Sequence, residues 1–403
     1  MGIARSRVLL VAMVLAAIAC SNPSAGPPAS GARLASPNAP GSTVDSKAAD
    51  LRARLDLLLG EHVIVIAKDS LAATANRAEE YAGYATLLTI NGNDLSAVMN
   101  SAFGASSGAR FDQIWAMQTT YFVDYTVGIA SHDAGKSNGA AAGLVNSFAP
   151  AFAQFMSSMT SIPLDPITQL STEQVLEVKA IIDDQAALNN ARMFMDLHRA
   201  FAQSARLGDA LATAIANKFP DKFPGNPAGK AVDFRVSLDT LLQEHAYLAT
   251  MTTSAATDGR STEQAAALTA LTANANSLGT LFSSVFGAAA GTRSDQVWGA
   301  HDAELVVYAG NADAATRQSA LDSLTSAFVA QLLSLVRDST DLSGAEISNA
   351  VQSQVADTIK VIDDQRSKST KVVAGDDHTA AAATIPVADL IATATVAKLP
   401  TKF

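Results

Sequence analysis

The pattern Ser101-x-Phe103-Gly104-Ala105-x-x-Gly108-x-Arg110-x-Asp112-Gln113-x-Trp115 returns, 183 residues later, as Ser284-x-Phe286-Gly287-Ala288-x-x-Gly291-x-Arg293-x-Asp295-Gln296-x-Trp298. An ungapped recurrence of that length marks internal duplication, and it constrains the fold more than any other feature. Whatever one half forms, the other must form too, so each half is a reading of its partner.

The periodicity is helical throughout. Leu51, Leu55, Leu58, His62 and Ile66 recur at three or four residues, the stripe of an amphipathic helix, and Leu238, Leu241, His245 and Leu248 repeat it. A second helix closes on Phe103-Gly104 and on Phe286-Gly287, where glycine suits a residue of positive φ after the last turn. A third carries Trp115, Phe122 and Tyr125, matched by Trp298, Leu305 and Tyr308. A fourth is expected near residues 140–159 and again near 320–336. The next is expected to start at Ser171-x-x-Gln174 and Ser343-x-x-Glu346, both of capping-box form, and to lead to Ile182-Asp183-Asp184-Gln185 and Ile362-Asp363-Asp364-Gln365. A last helix ends at Lys218-Phe219-Pro220 and Lys398-Leu399-Pro400, with Pro386 set to kink or split the second copy. No alternation of period two suggests strands. The expectation is all-α: two tandem bundles of five to six helices, at 45–223 and 233–403, joined by a Pro/Gly-rich linker at 224–232.

Residues 1–20 read as a targeting signal. Arg5 and Arg7 precede an apolar run, Val8 to Ala19, too short to span a bilayer, and Ala17-Ile18-Ala19-Cys20 resembles the lipobox of bacterial lipoproteins. That resemblance implies cleavage before Cys20, its lipidation, and attachment to a membrane of the bacterial envelope, facing outside the cytoplasm. The alternative is an ordinary secretory signal. Residues 21–44, rich in Ser, Pro, Gly and Ala, read as a disordered tether. Cys20 is the only cysteine of 403 residues, so neither a disulfide nor a thiolate metal site is available within the chain. A net charge of −10, spread along the chain, excludes the basic face that nucleic acid requires.

Five of the six histidines fall at three repeat positions. His62 matches His245, His198 matches His378, and His301 stands where the first half has Gln118. His132 stands alone in a Ser-His-Asp-Ala-Gly loop. The five share the apolar stripes of their helices, so His62, His198, His245, His301 and His378 are the candidate metal ligands: facing helices of a bundle commonly hold metals, and imidazoles suit Zn, Cu, Fe or Ni. A haem held by His62 with His198, or by His245 with His378, is a further alternative, as are buried histidines kept for packing. Asp209 and Asp389 share the stripe of His198 and His378; Glu61 and Glu244 point about 100° away from the histidines that follow them. Neither a Glu-x-x-His pair nor His-Glu-x-x-His, Walker, dinucleotide or nucleophile-elbow patterns occur.

Leu58-Leu59-Gly60-Glu61-His62, its counterpart Leu241-Leu242-Gln243-Glu244-His245, Trp298-Gly299-Ala300-His301, Phe122-Val123-Asp124-Tyr125 and the closing Phe-Pro-Asp-Lys-Phe resemble a secreted bacterial family of helical units, present once or in tandem. Its function is unestablished, and some members are labelled after copper amine oxidase, whose fold is largely β. The resemblance implies a helical fold and secretion, and no catalytic residue. Function is thus expected to be a membrane-anchored, non-enzymatic binding or structural module, the alternatives being a metal- or haem-binding envelope protein and, third, a metal-dependent oxidoreductase.

Overall fold

Residues 43–403 are described by a computed structural model. Residues 1–20, Cys20 among them, and the tether as far as residue 42 lie outside the described residues. A 3-10 turn, Thr43–Asp45, precedes α1 (Lys47–Thr74), which is capped where the Ser46 hydroxyl accepts from the Ala49 N–H at 3.1 Å. Then come α2 (Ala78–Phe103), α3 (Ala105–Ala130) and α4 (Ala134–Gly143). A π turn, Leu144–Phe148, carries α4 into α5 (Ala149–Thr160), followed by α6 (Leu164–Ala186) and α7 (Asn190–Lys218). The same series recurs as α8 (Lys230–Thr257), α9 (Ser261–Phe286), α10 (Ala288–Gly310) and α11 (Ala314–Asp322). A second π turn, Ser323–Phe328, leads to α12 (Val329–Thr340), then α13 (Ala345–Ser367), α14 (Thr370–Ala382) and α15 (Thr384–Lys398). The fold is all-α, without a strand among the described residues.

The repeated motif is explained by local backbone. Gly104 and Gly287 take φ 92° and 93° with ψ 165°, a region closed to other residues, and each turns the chain from one long helix into the next without a loop. Four residues on, Gly108 and Gly291 lie so close to the preceding helix that a Cβ would stand 2.9 Å from Asn100 Cβ and 2.6 Å from Ser283 Cβ. The Asp-Asp-Gln motif is an anchor. The Gln185 amide donates to Ala67 O at 2.7 Å and accepts from Ser70, and Gln365 does the same with Thr250 O at 2.9 Å and with Thr253. Asp183 and Asp363 accept the hydroxyls of Tyr125 and Tyr308.

Two sets of elements recur in order, and they share a core. One connected core runs from Leu55, Trp115 and Phe152 through to Leu242, Trp298 and Leu332. α1 and α8, buried nearly all round although they carry charged residues such as Glu61, Lys68, Arg235 and Glu244, pack on each other at its centre. α7 lies along α1 and also reaches α9; α15 lies along α8 while α14 reaches α2. The linker expected at 224–232 is shorter: Lys230 starts α8, and Ala231 and Val232 are buried. What remains of it folds back over α1, Pro224 O accepting from Ala48 N at 3.3 Å and Pro227 O from Arg52 at 2.8 Å. Nor does the tether reach residue 44. Val44 is fully buried beside Phe234, Val285 and Val396, with Arg235 donating to its carbonyl at 2.9 Å. Both corrections have one cause: a short apolar segment orders itself when a neighbouring surface covers it, which composition alone does not register.

Ser171 starts no helix. α6 begins behind Pro163, and Ser171 is buried inside it, its hydroxyl bonding to Thr168 O at 3.1 Å. Ser343 is likewise bypassed, since Gly344 with φ 116° precedes α13. Pro386 does split the last helix: α7 is continuous, whereas its counterpart breaks at Ala383, because the proline ring lacks the N–H that Ala382 O would accept. Residues Ala314–Thr340 and Thr370–Lys398 are long and apolar enough to cross a membrane by composition. Here they contribute Leu324, Leu332, Val336, Val387 and Ile391 to the shared core.

Candidate metal centre

The middle of α8 places His245 inside the core, 2% exposed, with its ring 4.5 Å from that of Trp298 on α10. One turn after Trp298, the same helix buries His301 and Asp302, each 2% exposed. The π turn ahead of α12 ends on Phe328, whose ring stacks on His301 at 3.9 Å and closes the site from the far side.

His245, His301 and Asp302 each bring a ligand atom within 4.8 Å of the other two. Their polar atoms are short of partners. His245 Nε2, His301 Nδ1 and both Asp302 oxygens are buried without a hydrogen bond, although Asp302 Oδ1 lies 3.3 Å from His245 Nε2. Burial holds the His301 imidazolium far out of reach, and the nearness of His245 adds to the effect, so His301 is neutral and keeps a lone pair. Two imidazoles and a carboxylate, converging and otherwise unsatisfied, form a donor set for a divalent transition ion.

The first half answers the same question differently. His62 lies 4.7 Å from Trp115, with Nδ1 3.1 Å from Asn91 Oδ1 and Nε2 3.1 Å from Gln118 Oε1. Burial lowers its pKa to about 4 despite those two partners, so the ring is neutral. With a proton on Nδ1, Nε2 is an acceptor, and the Gln118 carboxamide turned end for end supplies its N–H. Where the second half has His301 and Asp302, the first has Gln118 and Thr119, and Thr119 only bonds back to Trp115 O at 3.4 Å. No lone pair is left for a metal.

His198 and His378 do not join the histidines of their own halves. His198 Nδ1 lies 2.8 Å from Glu244 Oε1, and His378 Nδ1 lies 2.7 Å from Glu61 Oε1, each across the seam between the halves. Hydrogen bonding to the carboxylate raises both imidazoles' pKa against the opposing effect of burial. Burial pushes Glu61 up, but His378, Tyr247 and Asn91 together hold it below its ordinary value. Of the five histidines expected to ligate, the structure brings together His245 and His301 alone. The haem pairings fail: both nitrogens of His62 are engaged, and His198 and His378 are turned to carboxylates of the opposite half. Asp209 and Asp389 pair with Arg52 and Arg235 rather than with histidine. Asp302 escaped the sequence reading. The available signal was a double departure from the repeat at adjacent positions, Gln118-Thr119 against His301-Asp302.

The remaining candidates are structural. Ser131-His132-Asp133 is a turn in which His132 takes φ 56° and Asp133 caps α4 through Lys136 N at 3.0 Å. A cleft of about 370 Å³ opens where α1 and α8 end, with Lys68 and Tyr84 among its walls. Comparison of the chain with family models, with curated proteins and with solved structures returns no match.

Proposed function

We propose that this chain is a metal-binding helical protein whose second half holds one divalent transition ion between His245, His301 and Asp302. The first half is its metal-free counterpart. One observation carries the reading: four buried ligand atoms on three adjoining side chains have no hydrogen-bond partner, while the equivalent histidine of the other half has two. Leaving a carboxylate and two imidazole lone pairs unsatisfied in a core is costly, and a cation offsets that cost. Zn, Cu and Fe all suit imidazole with carboxylate. The reading includes a place: Arg5, Arg7 and the apolar run before Cys20 support a lipid anchor on Cys20 that holds the protein at the bacterial envelope.

Titration of metal-stripped protein with Zn²⁺ and with Co²⁺ tests the site. The expected result is one equivalent bound per chain, abolished in His245→Ala and in His301→Ala, with a rise in melting temperature on loading. Wild-type protein that takes up no stoichiometric Zn²⁺ or Co²⁺ removes the reading.

A further inference from the structure

His245 is the inner end of a hydrogen-bonded chain that begins on the surface of the other half. His198, its side chain 60% exposed, directs Nδ1 at Glu244 Oε1 on α8. The other oxygen of Glu244 accepts from Asn274 Nδ2 at 2.9 Å, and the same amide nitrogen also donates to Leu241 O at 3.1 Å. Both amide hydrogens are thereby used, and only the Asn274 oxygen is left to face His245 Nδ1, 3.2 Å away. An oxygen accepts only from N–H. His245 is therefore fixed as the Nδ1–H tautomer, with the lone pair of Nε2 turned toward Asp302 and His301. Exchange of the Asn274 amide ends would place an N–H against Nδ1 and leave Glu244 facing an oxygen.

On the reading of the site just given, we propose that Glu244 and, through it, His198 are positioning residues for the metal centre. They set the tautomer of a ligand they do not touch. A metal-bound imidazole ordinarily donates its second N–H to a carbonyl or carboxylate, and such partners raise ligand basicity and affinity. Here the supporting carboxylate is itself held by a histidine from the opposite half, so the centre is completed by both halves of the chain. The first half repeats the device: His378 binds Glu61, Glu61 Oε2 accepts from Asn91 at 3.0 Å, Asn91 also donates to Leu58 O at 2.9 Å, and its oxygen faces His62. The tautomer is set identically in both halves, and they differ in what meets Nε2: the Gln118 amide in one, two further ligands in the other.

The test separates this inference from the metal reading. In metal-free protein, long-range ¹H–¹⁵N correlation of labelled histidines reports the tautomer directly. His245 is expected as Nδ1–H in the wild type and as a mixture of tautomers in Glu244→Ala. Co²⁺ titration at one fixed pH is expected to show affinity falling about 10- to 100-fold in that variant, with a changed visible absorption. At the exposed end, His198→Ala is expected to lower affinity in the same direction, and His198→Gln, which keeps a donor for Glu244, to restore it. If Glu244→Ala does not fold, the two His198 variants decide between the outcomes. Wild-type His245 protonated on Nε2, or Glu244→Ala and His198→Ala proteins with unchanged tautomer and Co²⁺ affinity, overturns the inference. A correct wild-type tautomer with no Co²⁺ uptake overturns the metal reading instead.

Discussion

At the scale of single residues, the two halves contain a natural experiment on one histidine. His62 is satisfied on both nitrogens, and His245 is satisfied on one and left open toward two ligands. Transplanting the difference tests it: the double variant Gln118→His, Thr119→Asp is expected to raise Zn²⁺ stoichiometry from one to two, measured by titration with elemental analysis. His62 also leaves a mark on stability. The unfolded chain protonates this imidazole near pH 6.5, the folded protein only near pH 4, so the unfolded state binds more protons in between and stability falls as pH drops through that window. At about 1.4 kcal/mol per pH unit, the full effect is roughly 3 kcal/mol. Urea unfolding at pH 6.5 and 4.5 checks it: His62→Gln is expected to remove the His62 share of the difference and to leave that of His301, which burial also keeps neutral. His198 and His378 act with the opposite sign. Their raised values supply stability that is complete below about pH 6.5 and lost as pH rises through the folded values. Burial of His62, His245 and His301 was legible from the apolar stripe, whereas the same stripe misplaced His198, whose side chain is 60% exposed because Glu244 of the other half draws it to the rim of its helix face. Asp302 was not legible, because it adjoins His301 in sequence and the two lie about 100° apart around the helix. Only α8 and the π turn before Phe328, both remote in the chain, make each of those directions interior.

At the scale of elements, what was legible was what the backbone decides locally. Gly104 and Gly287 take a conformation open only to glycine, so Gly104→Ala and Gly287→Ala are each expected to cost about 1–3 kcal/mol in chemical denaturation. Gly139→Ala is the control, expected to gain about 0.5–1 kcal/mol, because Gly139 is exposed within α4 and an added Cβ meets nothing within 4 Å. Pro386 announced the break at Ala383 in the same local way. Ser171 misled because a capping box is a statement about free N–H groups, and by Ser171 the helix that began at Leu164 had already used them. The crossing of α7 to α9 and of α14 to α2 was illegible for a different reason. In a duplicated chain each pair of repeat positions has the same offset whether a helix packs within its own half or in the other, so the repeat fixes equivalence and leaves partnership open.

At the scale of the whole molecule, the seam between the halves repeats most of its contacts in pairs, and one buried ion pair departs from that symmetry. Lys68 on α1 is buried against Asp377 of α14, donates to Thr250 at 3.0 Å, and shares Asp377 with the Tyr84 hydroxyl at 2.6 Å. The repeat positions of Lys68 and Asp377 are Met251 and Leu197, both buried in the apolar core. Lys68→Met alone is expected to cost about 3–5 kcal/mol, because it strands a buried carboxylate, and the double variant Lys68→Met, Asp377→Leu to recover most of that loss. Thermal unfolding of the two proteins and the wild type gives the comparison. A contact that both halves repeat lies at the start of the described residues: Arg235 donates to the carbonyl of Val44 as Arg52 does to that of Pro227, 183 residues on. Val44 is wedged among Phe234, Val285 and Val396, and Arg235, which also binds Asp50 and Asp389, grips its carbonyl. A pull applied upstream of residue 43 is thus shared between α1, which follows directly in the chain, and α8 and α15, which hold Val44 from the second half of the sequence.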